Sequence, residues 1–263
     1  MPKDYDIITH QFDANHDLHL HWIADVHLGA QEHLAREWAD FCAKILDDQY
    51  AYIILGGDML NNGIKSSVSN IYDEVMRPRE AKKIMFEMLK PLRERILCAV
   101  SGNHERRSAK EVDDDPMYDI LCKLDLEDYH RENIAFLKLQ IGAKCENSEH
   151  FNTYTLVAVH GSGGGALSGG VINRNERFGY VIDGADALLV AHSHKPMISQ
   201  PSKIVIDARN NKVMIKPFKV IVASSWLSYG GYAVRKQLLP SSYAPQLITL
   251  SGKLDHKKIT VTM

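Results

Sequence analysis

The sequence is short of the features that mark several protein classes, and each shortage argues against one of them. Four cysteines, Cys42, Cys98, Cys122 and Cys145, are spread over 263 residues, and none stands in a C-x-x-C pair. That spacing speaks against a thiolate zinc cage, a redox dithiol or a disulfide framework. Each cysteine reads as a reduced thiol in or beside an apolar segment. No apolar run approaches the roughly 18 residues that a membrane span needs, so no membrane partner is expected. The opening stretch, MPKDYDIITHQFDANHD, has neither the basic start nor the apolar centre of a secretory signal, and the expected location is the cytoplasm. Lysine and arginine total 31 against 33 acids, a net charge of -2. A global basic footprint for nucleic acid is therefore missing, and only a local basic cleft stays open. Internal repeats are absent, and the one low-complexity piece is GSGGGALSGG, residues 161–170.

Histidine, by contrast, is abundant at 13 residues, and a 45% hydrophobic content supports a large core. The length suits a single domain, 1–263, with loop insertions at about 59–80 and 106–150. DLHLHWIAD alternates and then turns solidly apolar, as a strand entering a core does. EHLAREWADFCAKILDD places Leu34, Trp38, Phe41 and Ile45 on one helical stripe. AYIIL is a second strand, broken by GGD. Pro78 suits a first helical position, and REAKKIMFEMLKPLRER sets Ile84, Met85, Met88 and Leu92 at helical spacing, with Pro91 bending or shortening the last turn. ILCAV, the third strand, empties into SGNHERR. This βαβαβ run predicts parallel neighbours.

Past residue 106, DDDPMYDILCKL predicts a turn and a short helix, its aspartates a solvated helix start rather than a calcium loop. Strand-like segments return in IAFLKLQIG, TYTLVAVH, ALLVAH, SKIVIDA, KVMIKPFKVIVASS, PQLITL and KKITVTM, with DARNNKV as a hairpin turn. The fold class expected from this grammar is α/β, two sheets packed together with helices outside.

Polar residues collect where the strands stop: Asp25 and His27 after HWIA, Asp58 after YIILGG, Asn103 and His104 after ILCAVSG, His160 after YTLVAV, and His192 and His194 after ALLVA. Carboxyl ends of strands in an open α/β sheet line the ligand crevice, so these residues are expected at one rim. Imidazoles, carboxylates and an amide carbonyl together suit divalent transition metals. Seven candidate ligands exceed one ion's needs and fit two ions bridged by one carboxylate. The other histidines, at 10, 16, 19, 21, 33, 130, 150 and 256, lack such placement and read as surface or packing residues.

The ordered series D-x-H, G-G-D, G-N-H-E, V-H-G and A-H-S-H, over residues 25–196, resembles the five signatures of the calcineurin-like metallophosphoesterases. That superfamily includes purple acid phosphatases, protein phosphatases, cyclic-nucleotide phosphodiesterases and double-strand-break repair nucleases, and the motif order is most similar to the last group. The resemblance implies a four-layer sandwich of two mixed β-sheets flanked by helices. It implies Asp25, His27 and His194 on a first metal, Asp58 bridging, and Asn103, His160 and His192 completing a second. His104 would touch the phosphate and protonate the leaving oxygen. Ala191 stands where many members have glycine.

The function this implies is two-metal hydrolysis of phosphate esters, with manganese foremost and iron, zinc or nickel as alternatives. A phosphodiesterase acting on nucleic acid, DNA or RNA, or on nucleotides is the first expectation. A phosphomonoesterase or protein phosphatase is the alternative that GNHE suggests, although Ser101 replaces the arginine of that branch. A non-catalytic scaffold of the same fold is disfavoured because all the expected ligands are present. Arg106, with Arg107 beside it, is either a substrate-phosphate contact or half of a solvated pair, and Arg106 is the candidate named for the contact. Residues 161–170 are permissive backbone, either a phosphate-approaching loop or a mobile one, and Trp226, Tyr229 and Tyr232 are either a stacking rim or packing.

Overall fold

The computed structural model describes residues 3–14, 16–67, 71–142, 144, 145, 148, 149, 151–163, 167–253 and 257–263. In chain order the elements begin β1 (Ile7–Asp13), β2 (Leu18–Ile23), α1 (Ala35–Asp47), β3 (Ala51–Leu55), α2 (Pro78–Leu89), β4 (Ile96–Val100), α3 (Glu105–Val112) and α4 (Pro116–Lys123). There follow β5 (His130–Arg131), β6 (Ile134–Gly142), β7 (Lys144–Cys145), β8 (Ser148–Glu149), β9 (Asn152–Val159), α5 (Ser168–Val181) and β10 (Ala187–Val190). The chain closes with β11 (Met197–Ser199), β12 (Ser202–Asp207), β13 (Lys212–Pro217), β14 (Lys219–Val222), α6 (Gly231–Arg235), β15 (Leu247–Leu250) and β16 (Ile259–Thr262).

Two six-stranded sheets carry the fold, in the orders β16-β15-β2-β3-β4-β5 and β1-β6-β9-β10-β14-β11. Both are mixed: β2, β3, β4 and β5 run parallel while β15 is antiparallel to β2, and β9, β10 and β14 run parallel while β6 is antiparallel to β9 but parallel to β1, and β11 is antiparallel to β14. Side-chain alternation along each strand sorts the core into layers. Ile53 and Leu55 face outward to Trp38, Phe41, Met85 and Leu121 of the helices α1, α2 and α4. Ile54 between them faces the other sheet, packing with Leu20, Trp22, Leu137, Tyr154 and Leu189. Beyond that second sheet, Val157, Leu188 and Val220 meet Val171 of α5. Helices, sheet, sheet and helix thus form four layers, each fully buried Leu or Ile contributing about 1.5–3 kcal/mol.

Several details refine the expectations. Helix α2 begins at Pro78, and the chain continues past Leu89 as a 3₁₀ turn, Lys90–Arg95, because Pro91 cannot extend the α-helical ladder. Ile84 lies on the solvent side of α2 at 41% exposure, and Ala81 takes the inner position instead. Asp115 caps α4, its carboxylate accepting from the Met117 and Tyr118 amides. The stretch expected as an insertion at 106–150 carries α3, α4 and β6, and β6 is a member of the second sheet paired along its length with β1 and β9. Its middle is therefore framework. Of the segment 59–80, the described residues ahead of α2 keep little regular structure, a short 3₁₀ turn at Ile71–Asp73 apart.

At the seam between the sheets, the Trp22 indole N–H of β2 donates to the Val190 carbonyl of β10 at 2.9 Å. A Cβ at Gly56 would lie 2.5 Å from that indole ring, so the first glycine of GGD is needed for packing. Among the described residues no helix is long and apolar enough to cross a membrane.

Candidate metal centre

The polar residues of the five segments leave their strands at one edge. Asp25 and His27 follow β2, Asp58 follows β3, and Asn103 and His104 follow β4, while His160 follows β9 and His192 and His194 follow β10. One sheet therefore supplies the carboxylates, and the other most of the imidazoles. Backbone pairing continues past the strand ends: the Asp25 amide donates to the Gly57 carbonyl at 3.0 Å, the His27 amide to the Asp58 carbonyl at 2.9 Å, and the Ala191 amide to the His160 carbonyl at 3.0 Å.

The backbone here is strained. Asp25, His27, Asp58, His192 and His194 all take left-handed φ, between +49° and +68°. Outside glycine such a conformation costs roughly 1–2 kcal/mol per residue. Concentrated at five of the seven expected ligands, it is the pattern of a site whose geometry is imposed for function. Glycine makes the crowding feasible: a Cβ on Gly57 would sit 2.3 Å from the Gly102 nitrogen, and one on Gly102 only 2.1 Å from Asp58 Oδ1.

Both carboxylates are buried, and each divides its oxygens between two tasks. Asp25 Oδ2 accepts from the His192 amide at 2.9 Å, and Asp58 Oδ1 accepts from the His104 amide at 2.8 Å. The remaining oxygens face imidazoles. Asp25 Oδ1 is 3.3 Å from His194 Nε2 and 3.9 Å from His27 Nε2. Asp58 Oδ2 is 3.3 Å from His160 Nε2, 3.8 Å from His27 Nε2 and 3.7 Å from His104 Nε2. Three groups of converging ligand atoms result: Asp25, His27 and His194; His27, Asp58 and His104; and Asp58, His160 and His192. Asn103 joins the last, its Oδ1 3.0 Å from His160 Nε2. The structure thus brings all seven expected ligands and His104 together.

The donor chemistry fits divalent cations. The ring nitrogen away from the cluster is anchored in each of two histidines, His160 Nδ1 on the Gly56 carbonyl at 2.8 Å and His27 Nδ1 on Asn61 Oδ1 at 3.1 Å. Such anchors place the Nδ1 proton and leave Nε2 as a lone pair aimed inward. Asp25 Oδ1 is buried with no hydrogen-bond partner, an arrangement that calls for a positive charge. Electrostatics agree. Burial works against ionised Asp25 and Asp58, yet the imidazoles of His194 around the first and of His160 and His104 around the second hold both carboxyls below their ordinary range. Burial likewise opposes charge on His160, but Asp58 and Asp25 push it up to about 9, and Asp25 raises His194 in the same way. His27 and His192 are lowered, first by burial and then by neighbouring imidazoles.

Glu105, the last letter of GNHE, has a role that sequence reasoning missed. Fully buried, its carboxylate accepts from the amides of Asp58 (2.8 Å), Leu60 (3.1 Å) and Gly102 (2.9 Å), tying the loop after β3 to the loop after β4. Burial first, then Asp58 and Asp115, push its carboxyl up to about 7. Its position directly after His104 was the available signal.

The structure sends the two arginines in different directions. Arg106 turns away from the rim and donates to the Glu132 carbonyl at 2.6 Å. Arg107 takes the place by the site, its Nη2 donating to His104 Nε2 at 2.8 Å and its Nη1 to the Asn61 carbonyl at 3.2 Å. The cause is helical geometry: α3 begins at Glu105, and residues three apart share a face while neighbours diverge. His104 Nδ1 donates to the Asn61 carbonyl at 2.6 Å, and burial, with Arg107 adding to it, lowers the pKa of this ring. Asn62, also with a left-handed φ, is buried and donates to the His104 carbonyl at 2.8 Å.

Trp226 is packing, buried against Trp38 and Phe41, while the Tyr229 hydroxyl donates to the Leu238 carbonyl at 2.8 Å. The Tyr232 and Cys145 side chains and residues 164–166 of the glycine-rich stretch lie outside the described residues. Cys42, Cys98 and Cys122 are free thiols, and burial pushes those of Cys42 and Cys98 up to about 12.

A family model for calcineurin-like phosphoesterases matches residues 18–203, most of the chain and all five segments of the rim. The chain belongs to the calcineurin-like phosphoesterase family. As a member of that family it is a metal-dependent phosphoesterase, a hydrolase of ester bonds. Its likeness to solved structures is looser. A metallophosphoesterase from Sphaerobacter thermophilus is 15% identical, with 89% of this chain and 83% of that one covered at a TM-score of 0.38. A calcineurin-like phosphoesterase from Bacillus subtilis is 11% identical, with 94% and 91% covered at 0.38. The nuclease MPE of Pseudomonas putida is 14% identical, with 92% and 87% covered at 0.34. No curated protein matches the chain.

Proposed function

We propose that this calcineurin-like phosphoesterase hydrolyses phosphodiesters, in nucleic acid or nucleotides, at two divalent cations that share Asp58. Asp25, His27 and His194 would hold one cation and Asn103, His160 and His192 the other. The mixed nitrogen and oxygen set suits manganese first, then iron, zinc or nickel. When bound, such a pair polarises the phosphoryl oxygens and brings the pKa of a water toward 7. The protein's own groups do the rest. The amides of His192 and His104 fix the two carboxylates. His104, held by the Asn61 carbonyl, turns Nε2 toward Asp58 and can carry a proton to the leaving oxygen, while Arg107 adds positive charge beside it. The whole chain, 1–263, is read as a single domain around this centre.

The scarcity of cationic side chains favours the diester over the monoester. Arg106 points away, and Ser101, where protein phosphatases carry arginine, is buried and donates to Asp115 Oδ2 at 2.5 Å. A diester carries one negative charge at neutral pH, whereas a monoester carries about 1.5 to 2 and needs more cations around it. The test compares hydrolysis of the bis- and mono-nitrophenyl esters of phosphate with manganese, followed by single- and double-stranded DNA. Faster turnover of the bis-ester is expected. Preference for the mono-ester with no DNA cleavage overturns the reading.

A further inference from the structure

After the last rim residue, His194, β12 and β13 form a separate two-stranded sheet. Its base is tied to the body where the Phe218 amide donates to the Pro201 carbonyl at 3.0 Å and the Lys203 ammonium donates to the Ile182 carbonyl. Strand alternation divides its side chains. Lys203, Val205 and Asp207 of β12 are half-buried. The opposite face carries Ile204 and Ile206 of β12 across from Ile215 and Val213 of β13. These four are 76%, 77%, 73% and 69% exposed. Directly opposed residues of an antiparallel pair lie on one face, so the four form a continuous apolar patch. Ser202 and Pro217 complete that face, which therefore contains no ionisable group. Isolated exposed apolar residues need no explanation, but a contiguous β-branched patch on a two-stranded sheet that is marginal by itself does.

We propose that this face is an interface between two copies of the chain, packed face to face across a two-fold axis. Three observations favour a second copy. A face without charge meets no like charge when it is paired with itself. The pairs Ile204–Ile215 and Ile206–Val213 make a nearly symmetric square, which suits the self-complementary contact of a two-fold dimer. Eight such side chains bring roughly 1,000 Å² of surface together, the lower bound of a specific interface, so a weak, concentration-dependent dimer is expected. A lipid surface suits the patch less well. Residues 202–217 include no aromatic side chain, and the lysines 203, 212 and 216 lie on the other face, whereas interfacial anchors combine aromatic residues with basic ones.

Sedimentation velocity of the full chain from about 1 to about 200 μM tests the proposal. The wild-type chain is expected to pass from monomer to dimer across that range, and the double variant Ile204→Lys with Ile206→Lys to stay monomeric with an unchanged melting temperature. If the lysine variant does not fold, Ile204→Thr with Ile206→Thr, which keeps strand propensity, serves in its place and is expected to weaken association at least about tenfold. Lys212→Ala, on the other face, is expected to associate as wild type does. A wild-type chain that is monomeric at the highest concentration overturns the proposal, as does a double variant that dimerises normally. Monomer that co-sediments with phosphatidylcholine vesicles, and loses that binding in the same variant, assigns the face to lipid and overturns it as well.

Discussion

The two walls of the metal centre are built differently. The wall from β2, β3 and β4 is stitched inside the protein, since one Glu105 carboxylate accepts three amides from two loops and Gly57 and Gly102 bring those loops into contact. The wall from β9 and β10 presents imidazoles with fewer internal ties, chiefly the His160 ring on the Gly56 carbonyl and the His192 amide on Asp25. Buried carboxylates are costly unless paired, so the acidic wall needs a scaffold whether or not cations are present. The imidazoles of the other wall draw their support from the carboxylates they face, Asp58 and Asp25 holding His160 up to about 9 and Asp25 raising His194. Position is thus secured on one wall by the wall's own backbone and on the other by contacts across to the first.

Substitutions that separate the walls test that contrast. Asp58→Ala removes the carboxylate that takes part in two of the three ligand groups, and is expected to lower kcat/KM by about 10³-fold or more, roughly 4 kcal/mol, with loss of bound metal by elemental analysis. Retention of two equivalents would contradict a bridging position. His192→Ala, on the imidazole wall, is expected to cost about 100-fold in activity and metal affinity while the urea midpoint of the metal-free chain stays at its wild-type value. Glu105→Gln should do the reverse first, lowering metal-free stability by about 2 kcal/mol, because an amide cannot accept all three backbone donors as a carboxylate does. If both variants unfold at the wild-type urea concentration, the asymmetry is wrong. The smallest effect lies behind the acidic wall. Burial, with His19 adding to it, lowers His21 to about 4, so the unfolded chain gains that proton first as pH falls. Stability linked to His21 is present above pH 6.5 and is lost between 6.5 and about 4, and His21→Leu should flatten that limb of a melting-temperature profile.

Much of the acidic wall was legible because its strands read as unbroken apolar runs ending in chemistry. Ile53, Ile54 and Leu55 are buried on both faces, and such strands announce themselves without tertiary information. Strand β1 was not legible: IITHQFD lies at a sheet edge with Ile7 exposed, so its polar and apolar residues mix. Helix α3 was missed for a related reason, since ERRSAKEV buries only Glu105 and Ser108 and shows no apolar stripe. The choice between Arg106 and Arg107 depends on which residue begins that helix, a shift of one position that pattern alone does not resolve. The partners of Glu105 lie up to 47 residues away, a relation that is visible only once the chain has folded.

The left-handed backbone at Asp25, His27, Asp58, His192 and His194 bears on whether the signatures can be transplanted. Their letters name the donor atoms, but the direction in which each points is written in the turns around them. Grafted onto a scaffold with ordinary right-handed loops, the same short motifs would present the same chemistry to the wrong places, so an engineer borrowing this centre has to carry the loop conformations along with the side chains.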